Sequence, residues 1–218
     1  MSMMDKQAII ADIHRYKIIA IVRGITGGTL VKTAEALYEG GIRLLEVTFD
    51  QTGTISPRET AAMISDLCHR FAGRMRIGAG TVMTAEQVRI AVEAGAEYMI
   101  SPDTSREVIE ETKRLGAVSI PGALTPTEVA TAYGYGADFV KLFPAGELGL
   151  SYIKAIRAPL SHIPMLAVGG VNEKNLGEFL GAGLAGFSIG SNIVSKKLIE
   201  QGDFAALTAL AKQYTEQI

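Results

Sequence analysis

The segment VSIPGALTPTEVATAYGYGADFVKLFPA, residues 118–145, contains one full repeat of the pattern that decides the fold. An apolar run at 118–123 precedes a helical segment that starts near Pro126, since proline is favoured at the first position of a helix. GYGA at 134–137 indicates the end of that helix, because glycine adopts left-handed backbone conformations at little cost. A second apolar run follows at 139–144. The segment therefore predicts a strand, a helix and another strand.

The same alternation extends along the chain as eight apolar runs separated by longer segments, most of them with helical periodicity. The runs are IIAIV (18–22), LLEVTF (44–49), RIGAGTV (76–82), YMIS (98–101), VSIPGA (118–123), FVKLFP (139–144), MLAVGG (165–170) and GFSIG (186–190). Alternation predicts an α/β protein with a parallel sheet. Eight pairs predict a single-domain (β/α)₈ TIM barrel over residues 1–218, preceded by a short N-terminal helix. A doubly wound sheet is the alternative, but IVRGITGG after the first run lacks its glycine-rich fingerprint.

The helical segments are predicted from apolar spacing and from capping residues. They are 26–40, 84–95, 104–116, 125–136, 151–159, 172–183 and 203–214. Thr84 followed three residues later by Gln87 predicts a capping box, and Asn172 after VGGV is predicted to be an N-cap.

Composition excludes several classes of function. The 21 basic and 23 acidic residues give a net charge of −2, so nothing favours nucleic acid or an anionic membrane as a partner. A single cysteine, Cys68, predicts no internal disulfide and is expected to be a packed helix residue, and three histidines make a metal cofactor unexpected. Charged residues interrupt the N-terminal segment and no apolar run reaches the ~20 residues of a membrane span. We therefore expect a soluble, cytoplasmic protein without a cofactor.

Two charged residues lie inside apolar runs where a core residue is expected. With the two-residue period of a strand, Lys141 shares a face with Phe139 and Phe143, opposite two aliphatic residues that suit the outside of the barrel. Glu46 shares its face with Leu44, which is predicted to lie nearer the barrel floor. A buried lysine has a lowered pKa and can attack a carbonyl carbon as the free amine; a structural lysine paired with a carboxylate is the alternative. Glu46 can hold the lysine by charge or move protons.

Further polar residues and glycines end successive strands, where barrel active sites lie. Arg23, Thr81, Ser101 and Pro102 end the first, third and fourth runs. Glycine-rich turns at VGGV (168–171) and IGSN (189–192) follow the last two strands and lead into helical segments. Turns in these positions commonly bind phosphate, although glycines that only turn the chain are the alternative.

These runs together resemble the KDPG/KHG aldolases, class I aldolases acting on 2-keto-3-deoxy-6-phosphogluconate and 4-hydroxy-2-oxoglutarate, a group that includes the phosphogalactonate aldolases. The resemblance covers nearly the whole chain. It lies in IIAIVRG, LLEVTF, IGAGTV, ISPD, IPGALTPTE, VKLFPA, AVGGV and IGSN, in family order. It implies a (β/α)₈ barrel, a homotrimer and no metal.

The resemblance also implies roles for residues. Lys141 would form the Schiff base with pyruvate, and Glu46 would be the general acid and base. Four further groups would hold the substrate. Thr81 would bind the pyruvyl carboxylate, Pro102 and Phe143 would wall its pocket, Gly169, Gly170, Gly190 and Ser191 would hold the phosphate, and Arg23 would bind the anionic end.

Two positions depart from some family members. Asp50 stands where they have an arginine that pairs with the substrate carboxylate, so either Asp50 turns away or the substrate differs at that end. Val168 replaces the threonine frequent in gluconate-type members, as in galactonate-type relatives. The C4 configuration of the substrate therefore stays open.

Three hypotheses follow. The leading one is a class I aldolase that cleaves a phosphorylated keto-deoxy sugar acid to pyruvate and glyceraldehyde 3-phosphate, with 4-hydroxy-2-oxoglutarate as a further substrate. The second is a barrel isomerase or epimerase on a phosphorylated sugar with Glu46 as base. The third is a barrel that binds a phosphorylated ligand without catalysis.

Overall fold

The computed structural model describes residues 5–218. Its strands are β1 (Ile18–Val22), β2 (Leu44–Thr48), β3 (Arg76–Gly80), β4 (Tyr98–Ile100), β5 (Val118–Ile120), β6 (Gly122–Ala123), β7 (Val140–Leu142), β8 (Met165–Val168) and β9 (Gly186–Ile189). Its helices are α1 (Lys6–Tyr16), α2 (Gly27–Glu39), α3 (Pro57–Arg70), α4 (Ala85–Glu93), α5 (Arg106–Arg114), α6 (Pro126–Gly134), α7 (Ala145–Arg157), α8 (Leu176–Gly181), α9 (Lys196–Glu200) and α10 (Phe204–Thr215).

The strands form one parallel sheet in the order β5-β4-β3-β2-β1-β9-β8-β7-β6. The fifth predicted strand is divided at Pro121 into β5, which pairs with β4, and β6, which pairs with β7. The Lys141 amide donates to the Pro121 carbonyl at 2.8 Å, so this one segment joins both edges of the sheet. The predicted (β/α)₈ barrel is confirmed.

Side chains alternate between the inside and the outside of the barrel as the two-residue period predicts. Leu44 and Phe139 belong to a buried cluster in the lower interior, which Ile9 and Ile13 of α1 complete. Val140 and Leu142 belong instead to the larger cluster between the sheet and the surrounding helices. The lower interior is therefore a packed apolar core.

Three helix predictions need correction. α3 was absent from the predicted helices, although Ser56 and Glu59 form a reciprocal capping box around Pro57. α8 begins after Asn175 rather than at Asn172, because the Asn172 carboxamide accepts hydrogen bonds from the amides of the intervening turn.

The third correction concerns the capping box at α4. Thr84 accepts a hydrogen bond from the Gln87 amide as predicted. The Gln87 side chain accepts from Met83 and not from Thr84, so the box is only half formed.

Two negative expectations concern the described part of the chain. Between residues 5 and 218, no helix has the length and apolar character needed to cross a membrane. Cys68 lies in α3, partly buried, where its thiol contacts the Gly95 carbonyl at 3.4 Å. Burial raises the pKa of this thiol to about 12, which keeps it protonated and unreactive.

Candidate active site

A cavity of about 380 Å³ opens at the carboxyl ends of the strands. All ten residues predicted for the site line it: Arg23, Glu46, Thr81, Pro102, Lys141, Phe143, Gly169, Gly170, Gly190 and Ser191. Ser101, the other polar residue predicted at this end, is buried and does not line the cavity. The barrel thus brings together residues separated by up to 168 positions in the chain.

Lys141 extends inward from the middle of β7 and is only 8% exposed. Its Nζ lies 4.9 Å from the centroid of the Phe143 ring. Within residues 5–218 no carboxylate forms an ion pair with it at 4.0 Å or less, which argues against the structural ion-paired lysine. Burial lowers its pKa and the charge of Arg23 adds to that effect, while Glu46 opposes it. The free amine is therefore more accessible than in an exposed lysine.

Glu46 faces the same cavity from the middle of β2 and is 2% exposed. Ser188 in β9 donates a hydrogen bond from Oγ to Glu46 Oε2 at 2.9 Å. Burial raises the pKa of Glu46, whereas Lys141, the Ser188 hydrogen bond and Arg23 lower it. The carboxyl group can therefore exchange a proton closer to neutral pH than an exposed glutamate.

Glycine in β3 makes room for this carboxyl group. A Cβ at Gly80 would overlap with Glu46 Oε1 and with its carboxyl carbon. Gly80 therefore lets the Glu46 side chain lie flat against the neighbouring strand.

Thr81 has a backbone conformation that is rare for a β-branched residue. Its φ of 54° lies in the left-handed region, which is strained for threonine. Arg23 Nη2 donates to its Oγ1 at 3.1 Å, and Gln51 Nε2 donates to its carbonyl oxygen at 3.0 Å. These two contacts hold the Thr81 side chain beside Arg23 at the cavity wall.

Asp50 turns away from the cavity into its own loop. Its carboxylate accepts hydrogen bonds at 2.9 Å from the amides of Thr52 and Ile55. These hydrogen bonds lower its pKa. Asp50 therefore turns away, the first of the two alternatives for this position, and its carboxylate stabilises the loop instead of lining the cavity.

The glycine-rich turns after β8 and β9 offer unused backbone donors. Gly169 and Gly170 have φ values of 82° and 73°, and the Gly146 amide donates to the Gly169 carbonyl at 2.8 Å. Within the described chain, the amides of Gly170, Ser191 and Asn192 donate to no acceptor. Adjacent unpaired amides at a turn form an anion-binding concavity.

Sequence reasoning missed Ser188 and Gly80. Alternation in GFSIG places Ser188 on the inward face opposite Phe187 and Ile189, so the argument that found Lys141 also applies to it. Gly80 was harder to find from the sequence. A glycine within a strand indicates that another group packs close to the backbone there, but it does not indicate which group.

A second cavity, of about 210 Å³, lies at the opposite end of the barrel. Its two carboxylates are both paired, because Arg76 binds Asp12 at 2.7 Å and Glu97 at 2.9 Å, and Arg43 and Arg74 donate to backbone carbonyls. It lacks a free nucleophile, since the Cys68 thiol is protonated. The first cavity is therefore the candidate active site.

The fold and this site together fit a class I aldolase, the class of enzyme that forms its covalent intermediate on a lysine amine. The family model described as "KDPG and KHG aldolase" matches residues 9–210. The chain belongs to this family.

Individual aldolases are similar to the chain over more than nine-tenths of its length. The chain is 33% identical to the 2-dehydro-3-deoxy-6-phosphogalactonate aldolase of Escherichia coli K12, over 92% of this chain and 96% of that protein. It is 34% identical to the 2-dehydro-3-deoxy-phosphogluconate aldolase of Treponema pallidum, over 92% and 93%. The KDPG aldolase of Legionella pneumophila, solved with pyruvate captured as a covalent carbinolamine, superposes with a TM-score of 0.83 at 30% identity, over 93% and 96%.

Proposed function

We propose that this enzyme cleaves 2-keto-3-deoxy-6-phospho sugar acids to pyruvate and glyceraldehyde 3-phosphate through a Schiff base on Lys141. The observation that carries the proposal is the buried amine of Lys141, which forms no ion pair within residues 5–218 and faces the same cavity as Glu46. The Legionella relative with a pyruvate carbinolamine supports it, because a carbinolamine is the adduct that precedes a Schiff base.

Schiff-base formation begins when neutral Lys141 Nζ attacks the C2 carbonyl carbon of the substrate. The carbinolamine then loses water, for which a proton must reach the departing hydroxyl group. Glu46 in its protonated form, which burial favours by raising its pKa, supplies that proton and becomes the carboxylate. The product is an iminium ion on Lys141.

Cleavage uses the iminium ion as the electron sink. Glu46 takes the proton of the C4 hydroxyl group, the C3–C4 bond breaks, and its electron pair neutralises the iminium nitrogen as an enamine. Glyceraldehyde 3-phosphate leaves as the aldehyde. Glu46 returns its proton to C3, and water then hydrolyses the new iminium to pyruvate and free Lys141, with the released proton returning to Glu46.

The two ends of the substrate are assigned to opposite sides of the cavity. Thr81 Oγ1 and the Arg23 guanidinium bind the pyruvyl carboxylate, and Pro102 and Phe143 wall the pyruvyl group. The amides of the turns at 169–170 and 190–192 and the Ser191 hydroxyl bind the phosphate. A protein with a net charge of −2 can still bind this anionic substrate, because these few donors in the cavity recognise its carboxylate and its phosphate.

Val168 bears on the configuration of the substrate at C4, because its side chain lines the cavity next to Gly169. An aliphatic side chain offers no hydrogen bond to a C4 hydroxyl group, so Val168 can influence the choice of epimer only through its shape. The gluconate and galactonate relatives are almost equally similar, at 34% and 33% identity. Both epimers therefore belong in the substrate test, as does 4-hydroxy-2-oxoglutarate.

The assembly and the location are also assigned from the family resemblance. We propose a homotrimer in the cytoplasm. Light scattering during size-exclusion chromatography measures the assembly directly, and a mass of one chain or two would contradict the trimer.

Borohydride trapping tests the central step. Incubation with pyruvate and borohydride should attach a reduced pyruvyl group to Lys141, located by peptide mass spectrometry, and should inactivate the enzyme. Lys141→Met is the control and should stay unlabelled. An unlabelled wild-type protein would contradict the Schiff base and favour the isomerase.

A coupled assay then defines the substrate. Pyruvate release is followed with lactate dehydrogenase on the phosphogluconate and phosphogalactonate epimers, their unphosphorylated forms and 4-hydroxy-2-oxoglutarate. Release from at least one phosphorylated epimer is expected. No release from any of them would favour a barrel that only binds its ligand.

A further inference from the structure

We propose that Ser188 is a positioning residue for Glu46, holding its carboxylate so that Oε1 alone exchanges protons with the substrate. This inference rests on the proposed aldolase function. It concerns a residue that does not carry out the Schiff-base chemistry itself. The contact that supports it is the 2.9 Å hydrogen bond from Ser188 Oγ to Glu46 Oε2, which is completely enclosed.

The hydrogen bond spans the width of β1. Ser188 is aligned with Ile19 and Glu46 with Ile21. The two side chains therefore reach each other from β9 and β2, the strands on either side of β1. Ser188 is 1% exposed and Glu46 is 2% exposed, so water does not compete for the contact. On the remaining side, Gly80 allows Oε1 to lie against β3. The carboxyl group therefore has one favoured orientation.

The two carboxyl oxygens are unequal as a result. Oε2 accepts the Ser188 hydrogen bond, whereas Oε1 accepts none from residues 5–218. In the described chain, Glu97 Oε2 is the only side-chain oxygen or nitrogen atom that is both fully enclosed and without a hydrogen-bond partner. Glu46 Oε1 also has no partner, so it is not fully enclosed. Oε1 therefore reaches the cavity surface, where a substrate proton can meet it.

The same contact affects the protonation of Glu46. The hydroxyl group stabilises the carboxylate, so it lowers the pKa that burial has raised. The other charged or titratable groups that face Glu46 are Lys141 from β7, Arg23 after β1 and Tyr98 from β4. None of these changes in a Ser188 variant, so a shift in the pH profile reports the loss of the hydrogen bond.

The test compares Ser188→Ala with Ser188→Thr, which keeps a hydroxyl group, and with Ser119→Ala. Ser119 is a matched control, because it is a buried strand serine that lies outside the cavity. For each protein we measure kcat for cleavage from pH 5 to 9 and the exchange of the pyruvate methyl protons in D₂O. Borohydride trapping with pyruvate is measured alongside.

Ser188→Ala is expected to lower kcat and proton exchange about tenfold near neutral pH, since a hydrogen bond to a charged group is lost. The acid limb of both profiles should move to higher pH, because a raised pKa leaves less carboxylate. Trapping of pyruvate on Lys141 should persist. Ser188→Thr should restore the wild-type limb, and Ser119→Ala should resemble wild type.

An unchanged acid limb and kcat in a folded Ser188→Ala protein that still traps pyruvate would overturn the inference and leave the aldolase proposal intact. Failure of the wild-type protein to trap pyruvate would instead overturn the aldolase proposal. Should Ser188→Ala not fold, Ser188→Cys gives the same comparison, because a thiol of similar size is a weak donor.

Discussion

The lower and upper halves of the barrel interior are built from the same strands and filled in opposite ways. In the lower half, Leu44 of β2 and Phe139, just before β7, belong to a closed apolar cluster. Two residues further along the same segments, Glu46 and Lys141 face an open cavity. Apolar side chains fill the lower half and stabilise the fold by their burial. The upper half instead holds two ionisable side chains, almost fully buried, at the wall of the cavity.

β3 shows the same contrast within one strand. A Cβ at Gly78 would overlap with the ring of Tyr98, and a Cβ at Gly80 would overlap with the carboxyl group of Glu46. One glycine therefore admits a core aromatic side chain, and the next inward glycine admits the proposed acid and base. The same residue type on the inward face of one strand therefore serves packing in one layer and the proposed chemistry in the next.

The largest expected effect comes from Lys141→Met in the upper half. Cleavage should fall by roughly 10⁴-fold or more, because no amine remains to form the iminium ion. Stability at pH 7 should rise by about 1 kcal/mol, since the cost of burying the Lys141 amine no longer opposes folding.

The pH dependence of that gain has a defined sign. The pKa of Lys141 is lower in the folded protein than in the unfolded chain, so unfolding takes up a proton and is favoured below the ordinary lysine pKa. The advantage of Lys141→Met should therefore shrink as the pH rises toward that value. Urea denaturation at two pH values measures it, and a variant less stable than wild type at pH 7 would contradict the contrast between the halves.

The next effect separates the two glycines of β3. Gly80→Ala should lower kcat about 10²-fold by displacing Glu46. Gly78→Ala should instead lower the free energy of unfolding by about 2 kcal/mol through overpacking against Tyr98, with little change in kcat. Kinetics and urea denaturation of both variants distinguish these outcomes, and equal losses of kcat would remove the distinction.

Ile13→Ala perturbs only the lower half. Ile13 is fully buried in the cluster that α1 completes, so its truncation should lower the free energy of unfolding by about 3 kcal/mol. At temperatures where the variant is folded, kcat should be unchanged. Gln7→Ala in the exposed face of α1 is the control, and a kcat loss specific to Ile13→Ala would show that the halves are coupled.

The smallest effect is expected from Tyr98→Phe. The Tyr98 hydroxyl donates to the Leu45 carbonyl at 2.7 Å, and its loss should lower the free energy of unfolding by about 1 kcal/mol. Thermal denaturation measures this change against Tyr133→Phe, whose side chain is exposed. A drop in kcat would mean that the Tyr98 hydroxyl acts on the site through Glu46.

The strand order and the inward positions of Lys141 and Glu46 could be predicted because the barrel depends on period and polarity. Lys141 and Glu46 interrupt apolar runs, and each faces the side that its alternation predicts. Capping residues were less reliable. Asn172 has the residue type of an N-cap, but it caps a turn that ends at Asn175, just before the first residue of α8. An asparagine side chain can accept the same local hydrogen bonds from a turn as from the start of a helix.

The sequence by itself determined the barrel, the end at which its polar residues gather and the pair of charged residues that are costly to bury. All of these follow from local periodicity, which each strand carries on its own. Only the tertiary structure decided which way Asp50 turns, which hydroxyl group holds Glu46 and which glycine admits it. The contacts of Glu46 join β2, β3 and β9, and a contact between distant segments depends on strand register and packing, which no single segment encodes. The Asp50 hydrogen bonds lie within one loop, but the residue pattern of that loop does not specify which of its amides the carboxylate accepts from.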